Sequence, residues 1–186
     1  MTDTALIVVD IQNDYFSGGK WELEGVDAAA DNAARLIGAA RERGDTVIHI
    51  RHETLAPNAP FFVPGTEGAQ LHEKARNLAD ELVIVKHFMN PYRETQLREV
   101  LEHQGIKRVV VVGNMSHMCI DAVTRASDDF GYATTVIHDA CATHDLAFNQ
   151  VKVPAAMVHA TFMAALQFGY AKVLSADEYL AQVGHG

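Results

Sequence analysis

Three reactive side chains stand at or just beyond the ends of predicted β-strands. Asp10 closes the apolar run ALIVVD, Lys86 closes LVIVK, and Cys119 lies in the first turn of a predicted helix that follows KRVVVV. A cysteine becomes a nucleophile when its pKa is lowered, which a helix N-terminus and a nearby lysine both favour. A carboxylate can take the thiol proton and return it to a leaving amine, while backbone N–H groups of the turn stabilise the oxyanion. Together the three residues predict hydrolysis through a thioester.

Each of these side chains also has a simpler interpretation when it is taken alone. Asp10 could cap a turn, Lys86 could be solvated, and Cys119 could be a small buried apolar group, as most free cysteines are. Their joint placement is more informative, because ligands of parallel sheets bind outside the carboxyl ends of the strands.

Six short, mostly apolar runs predict the strands that position these residues, at 5–11, 46–51, 82–87, 108–113, 133–140 and 171–175. Such continuous apolar runs are typical of strands covered on both faces of a parallel sheet. Helical patterns lie between the runs, and this alternation predicts an α/β fold with a doubly wound, mostly parallel six-stranded sheet. We expect one domain over residues 1–186.

Helix ends can also be predicted. Four helical patterns stop at a glycine, at Gly44, Gly105, Gly131 and Gly169. Ser175 and Glu178 predict a capping box at the start of a short terminal helix.

Weaker candidates for substrate contact lie near the strand ends and in the long connection 52–72, which carries most of the prolines and predicts a binding loop or lid. Aromatic rings there could wall a planar or apolar ligand, or could equally be core or subunit contacts. The candidates are Phe16, Trp21, His52, Phe62, Asn90, Tyr92, His117 and Thr143.

Composition narrows the class of protein. The 186 residues carry a formal net charge of -9, which disfavours a nucleic-acid partner. No apolar run approaches the roughly 18 residues of a membrane span, and no signal peptide is evident, so a cytoplasmic protein is expected. Two cysteines do not make a disulfide framework. Cys141 has no predicted helix N-terminus behind it, so we expect an inert thiol.

A family resemblance is carried by three blocks: LIVVDIQNDY, VKHFMNPYRET and VVVVGNMSHMCIDAVTRASDDFGYATTVIHDACAT. They resemble the catalytic blocks of the isochorismatase-like cysteine hydrolases, the superfamily that includes nicotinamidase and N-carbamoylsarcosine amidase. The resemblance implies a Rossmann-like three-layer α/β/α fold and a catalytic triad of Asp10, Lys86 and Cys119. It further implies a cis peptide bond at Asn114–Met115, an oxyanion hole formed by the N–H groups of Met115 and Cys119, and a homo-oligomer.

Departures from the family pattern bear on the substrate and on metal binding. Isochorismatases that cleave a vinyl ether lack the nucleophilic cysteine, so Cys119 favours an amide, ureido or imide bond in a small-molecule substrate. Metal-containing nicotinamidases carry an Asp and histidines after the second strand, where this chain has His52 and Thr54. His72 is a distant further ligand candidate, and His49 points to the opposite strand face from His52. We expect no metal and no cofactor.

Three other classes of protein compete with the hydrolase. A dinucleotide-binding protein is disfavoured, because no G-x-G-x-x-G follows the first strand. A redox or peroxide sensor would need a low-pKa Cys119 with Cys141 as a resolving partner. A non-catalytic binding module on the same fold is the third alternative.

Overall fold

The computed structural model describes residues 2–184 and is organised around a parallel sheet. The strands are β1 (Thr4–Val9), β2 (Thr46–His52), β3 (Leu82–Lys86), β4 (Arg108–Asn114), β5 (Ala133–Ala142), β6 (Leu146–Phe148), β7 (Val151–Val153) and β8 (Lys172–Leu174). Six of them pair in the order β3-β2-β1-β4-β5-β8, and every pair is parallel. The predicted doubly wound six-stranded sheet is confirmed. Strand order reverses between β1 and β4, and ligands of such sheets generally bind at the carboxyl ends of the strands beside that point.

Helices cover both faces of this sheet. They are α1 (Val26–Arg43), α2 (Leu97–His103), α3 (Asp121–Asp129), α4 (Ala155–Gly169) and α5 (Ala176–Val183). Side chains of β1 alternate between two cores: Leu6 and Val8 pack with α1, whereas Ala5, Ile7 and Val9 pack with α2, α3 and α4. This alternation explains why β1 is apolar throughout, and it builds the three layers. Within residues 2–184, none of the helices has the length and apolarity needed to cross a bilayer.

Two local features differ from the sequence prediction. The helical pattern ETQLREVLEHQG, which stops at Gly105, yields a helix only from Leu97, because Glu94 adopts a left-handed backbone with φ of 55° that cannot continue a helix. The antiparallel hairpin of β6 and β7 was not predicted, since three-residue strands are too short to show a periodicity. The predicted capping box of Ser175 and Glu178 is present at the start of α5.

The long connection after β2 is anchored rather than free. Gln12 Nε2 donates to the carbonyl oxygens of His52 at 2.9 Å and Ala69 at 2.8 Å, and its Oε1 accepts from the His52 N–H at 2.8 Å. The buried Asp14 carboxylate accepts from the Phe62 N–H at 2.7 Å. The loop that follows β1 therefore holds this connection at His52, Phe62 and Ala69, and the connection is fixed in place.

Candidate active site

The three reactive side chains converge at the carboxyl edge of the sheet, where the strand order reverses. Asp10 follows β1, Lys86 ends β3 and reaches past the end of β2, and Cys119 lies in the turn after β4. Asp10 and Lys86 are 0% exposed and Cys119 is 3% exposed. Charged groups are rarely buried this completely without partners, so their mutual contacts determine what the site can do.

The Lys86 ammonium lies between three acceptors. Its Nζ is 2.8 Å from Asp10 Oδ2, 3.2 Å from Cys119 Sγ and 2.8 Å from His52 Nδ1. An ammonium has three N–H donors, so these neighbours use its full capacity. Burial by itself lowers the pKa of Lys86, but the Asp10 carboxylate and the Cys119 sulfur outweigh it and raise the pKa above its ordinary value. Lys86 is therefore a cation at neutral pH.

Asp10 is held by an unusual backbone conformation and a close strand contact. Its φ of 49° lies in the left-handed region, and its N–H donates to the Ile50 carbonyl at 3.0 Å. Behind it, Gly113 has a φ of 119°, and a Cβ there would lie 1.9 Å from the Val9 carbonyl oxygen. Apart from the ion pair with Lys86, no backbone N–H of the described residues donates to either carboxylate oxygen. Asp10 thus keeps the acceptor capacity that a general base needs.

Cys119 lies in a π-helical turn, Ser116–Ile120, that leads directly into α3. Burial and then the Asp10 carboxylate raise the pKa of the thiol well above its ordinary value, although the Lys86 ammonium opposes them. The prediction that the helix N-terminus and Lys86 lower this pKa is wrong, because desolvation of the thiolate is the larger effect. The resting group is a thiol, with the Asp10 carboxylate oxygen within 4.8 Å of Sγ.

His52 belongs to the same cluster, because its Nδ1 lies 2.8 Å from Lys86 Nζ. Ligand atoms of Asp10, His52 and Cys119 lie within 4.8 Å of one another, but each of the three residues is in contact with the Lys86 ammonium. Burial and the Lys86 charge lower the pKa of His52 to about 4, so its ring is neutral and accepts at Nδ1. His72 instead stacks on the Phe16 ring, with centroids 3.6 Å apart.

The turn before Cys119 contains a cis peptide bond at Asn114–Met115, the position that the resemblance implies. The Asn114 side chain ties this turn to both neighbours: Nδ2 donates to the Asp10 carbonyl at 3.4 Å, and Oδ1 accepts from the Ala142 N–H at 3.1 Å. The Met115 N–H has no acceptor among residues 2–184. It is therefore available to a ligand oxygen.

Comparison with known proteins identifies the family. The Isochorismatase domain model matches residues 4–176. The chain belongs to the isochorismatase family. The uncharacterized isochorismatase family protein YddQ of Bacillus subtilis is 48% identical over 177 residues, which are 95% of this chain and 98% of YddQ. Maleamate amidohydrolase of Pseudomonas putida is 29% identical over 149 residues, which are 73% of this chain and 70% of that enzyme. A crystal structure from Oleispira antarctica, assigned to the isochorismatase hydrolases, is 52% identical with a TM-score of 0.92 and covers 96% of both chains.

These findings confirm the resemblance, the three-layer fold and the assignment of this isochorismatase-family chain as an enzyme. The matched range ends at residue 176, so a single domain over residues 1–186 stays a prediction.

An aromatic wall lies beside the site of this isochorismatase-family member. Successive ring contacts join its members at centroid distances of 4.9 to 5.6 Å, and they are Phe62, Phe61, Trp21, His144 and His117. One end reaches His52, whose ring centroid is 6.0 Å from that of Phe62. The wall therefore brings together four of the predicted contact residues, Trp21, His52, Phe62 and His117.

Thr143 joins the other end of this wall. Its Oγ1 lies 2.6 Å from His117 Nδ1, and its carbonyl accepts from the Glu24 N–H at 2.9 Å. The structure thus places His117 and Thr143 in direct contact, 26 positions apart in the chain.

Three other candidates make contacts outside the cluster of Asp10, Lys86 and Cys119. Phe16, with His72, lines a cleft of about 550 Å³ to which none of Asp10, Lys86 and Cys119 contributes. Asn90 Oδ1 accepts from the Tyr92 N–H at 3.0 Å, and the Tyr92 hydroxyl lies 2.8 Å from Ser127 Oγ. These contacts anchor the loop after β3 through Asn90 Oδ1 and the Tyr92 hydroxyl, and a role of either residue in substrate binding stays a prediction.

Three residues near the site were not singled out from the sequence. Burial, with the nearby Cys119 and Asp10, raises the pKa of Tyr15 well above its ordinary value. Met89 Sδ lies 3.7 Å from Cys119 Sγ, and the His144 ring contacts both Trp21 and His117. Tyr15 follows Asp10 by five positions and Met89 follows Lys86 by three. Their closeness in sequence to the reactive residues could therefore have indicated both as site residues.

Proposed function

We propose that this chain is a cysteine-dependent hydrolase that cleaves the C–N bond of a small amide, ureido or imide through a thioester acyl-enzyme. The observation that carries the proposal is the buried Asp10–Lys86 ion pair, with Cys119 Sγ 3.2 Å from the same ammonium. A solvent-excluded carboxylate, cation and thiol in one place suit nucleophilic catalysis with acid–base support. The related maleamate amidohydrolase, which by its name hydrolyses an amide, supports the bond class.

In the proposed first half-reaction, the Asp10 carboxylate takes the thiol proton as Cys119 Sγ attacks the carbonyl carbon. The N–H groups of Met115 and Cys119 donate to the oxyanion of the tetrahedral intermediate. The C–N bond then breaks, and the proton on Asp10 passes to the leaving nitrogen, which departs as ammonia or an amine. Lys86 remains protonated, while the negative charge passes from the Asp10 carboxylate to the oxyanion and returns to Asp10 when the leaving nitrogen takes the proton.

In the second half-reaction, water attacks the acyl carbon and Asp10 takes a proton from it. The C–O bond forms, the C–S bond breaks, and the proton returns to the departing sulfur. The acid product leaves, and the site recovers its thiol, carboxylate and ammonium.

The test is ammonia release and intact mass for the wild type and Cys119→Ala, on nicotinamide, carbamoyl-amino acids, ureidoacrylate and other small amides. We expect turnover to fall by roughly 10³-fold or more in the variant, together with loss of a mass adduct seen on the wild type. Cys141→Ala is the matched control and should keep activity. Substantial activity of Cys119→Ala would contradict the mechanism.

The sensor alternative receives no support from the thiols. Burial raises the pKa of Cys141 to about 12, and its Sγ donates to the Ile137 carbonyl at 3.4 Å. Burial likewise raises the pKa of Cys119, whereas a sensor needs an accessible, low-pKa thiol. An oxidant-dependent disulfide between the two cysteines would favour the sensor, and a chain that forms neither disulfide nor acyl-enzyme would be a binding module.

We further propose a cytoplasmic homo-oligomer whose ligand is a small molecule. The support for self-association is apolar surface on α4 and on the preceding hairpin, where four large side chains are exposed: Phe148, Val151, Met157 and Phe168. Exposed apolar surface of this kind is typical of protein contact sites.

A further inference from the structure

Met89 lies between the nucleophile and the solvent. Its Sδ is 3.7 Å from Cys119 Sγ. Met89 is 41% exposed, whereas Cys119 is 3% exposed. A carbonyl carbon that is to bond with Sγ must approach to van der Waals distance, and a thioether in contact with the sulfur occupies part of that approach.

The backbone around Met89 is held in place on both sides. Before it, His87 Nδ1 lies 2.9 Å from the Glu53 carbonyl oxygen. After it, Asn90 Oδ1 accepts from the Tyr92 N–H at 3.0 Å, and the Tyr92 hydroxyl lies 2.8 Å from Ser127 Oγ in α3. Movement of the loop would break these contacts, so the methionine side chain is the part that can move. It is unbranched and has three rotatable bonds, and its rotamers exchange readily.

We infer that Met89 is a specificity-determining residue, whose side chain sets the size of the acyl group that reaches Cys119. The inference rests on the proposed function. A small acyl group enters once the thioether turns aside, whereas a bulky one must share the space that the side chain fills. A shorter residue at this position therefore admits larger substrates, and a rigid larger one excludes them.

The test is the alkylation rate of Cys119 with a small reagent, iodoacetamide, and a bulky one, N-phenylmaleimide, in Met89→Ala, Met89→Phe and the wild type. Cys119→Ala gives the background from Cys141. We expect the bulky-to-small rate ratio to rise roughly tenfold in Met89→Ala and to fall by a similar factor in Met89→Phe. Leu78→Ala removes an exposed apolar side chain elsewhere and should leave the ratio unchanged.

The ratio separates access from other effects. A change in thiol pKa or in overall stability alters both alkylation rates together, and a denaturant midpoint checks folding of each variant. Ratios within about twofold of the wild type in both Met89 variants would overturn the inference. Alkylation requires no substrate, so this result does not depend on whether the amide panel detects turnover.

Discussion

Lys86 is the residue on which the charges of the candidate site depend. It is one cation facing a carboxylate, a thiol and a neutral imidazole, all removed from water. Burying the Asp10–Lys86 pair costs desolvation energy that their attraction only partly returns. Such a pair is weak evidence for stability and stronger evidence for function, because perturbed, buried titratable groups cluster at functional sites.

Replacing Lys86 by Met should affect both the thiol and the fold. We expect Cys119 alkylation to shift to higher pH, because the cation that favours the thiolate is lost. We also expect the free energy of unfolding to fall by about 3–5 kcal/mol, because the Asp10 carboxylate is left uncompensated. The measurements are a pH–rate profile with iodoacetamide and a denaturant titration.

Lys20→Met is the matched control, since Lys20 is exposed, and it should change stability by less than about 0.5 kcal/mol. An alkylation profile of Lys86→Met that coincides with the wild type would remove Lys86 from its assigned role.

The neutral state of His52 predicts a dependence of stability on pH. Its pKa is about 4 in the folded chain and 6.5 ordinarily, so between these values the unfolded chain binds more protons. The free energy of unfolding should therefore decrease as pH falls through this window. The contribution of His52 is roughly 2–3 kcal/mol by about pH 4.5. His52→Gln can still accept from Lys86 but does not titrate.

Denaturant titrations at about pH 7 and about pH 4.5 compare the two proteins. The Gln variant should lose less stability than the wild type, and the other histidines contribute equally to both. An identical loss would show that His52 is not held neutral.

At the scale of elements, the close parallel pairing of β1 and β4 positions the site. Gly113 lets β4 approach the Val9 carbonyl, directly before the turn that carries Cys119. Only a residue without Cβ fits there, and its φ of 119° is rarely adopted by other residues. The alignment of Asp10 with the nucleophile turn therefore depends on one glycine.

Gly113→Ala should destabilise the chain by more than about 2 kcal/mol and reduce Cys119 alkylation, because backbone must shift to relieve the clash. Gly38→Ala is the matched control: it lies within α1, nothing would lie within 4 Å of its new Cβ, and we expect a small stabilisation of up to about 1 kcal/mol. Thermal or denaturant unfolding of both variants measures the two changes in stability. Equal stabilities would mean that the strands tolerate a wider separation.

At the scale of the whole molecule, the apolar surface of α4 predicts self-association. Phe168 is 95% exposed and Met157 is 60% exposed. The double variant Met157→Lys/Phe168→Lys should lower the mass measured by light scattering to that of one chain, because lysine is depleted from interface cores. Leu78→Lys is the control on another surface. A wild type that is already monomeric would contradict the proposal.

The sequence by itself determined the sheet. Continuous apolar strands, glycine-ended helices and the Ser175–Glu178 capping box are local signals, and all six predicted strands are present in the sheet. It also placed Asp10, Lys86 and Cys119 at strand ends, because the carboxyl ends of parallel strands share one edge.

Only the tertiary structure decided what surrounds those residues. Three contacts show this: His52 accepts a hydrogen bond from Lys86, Met89 Sδ contacts Cys119 Sγ, and the Tyr92 hydroxyl is hydrogen-bonded to Ser127. Each depends on which side chains meet across the sheet edge. The direction of the Cys119 pKa shift depends on the same packing. A helix N-terminus and a lysine can be identified from sequence, but the loss of water that outweighs them is a property of the folded chain.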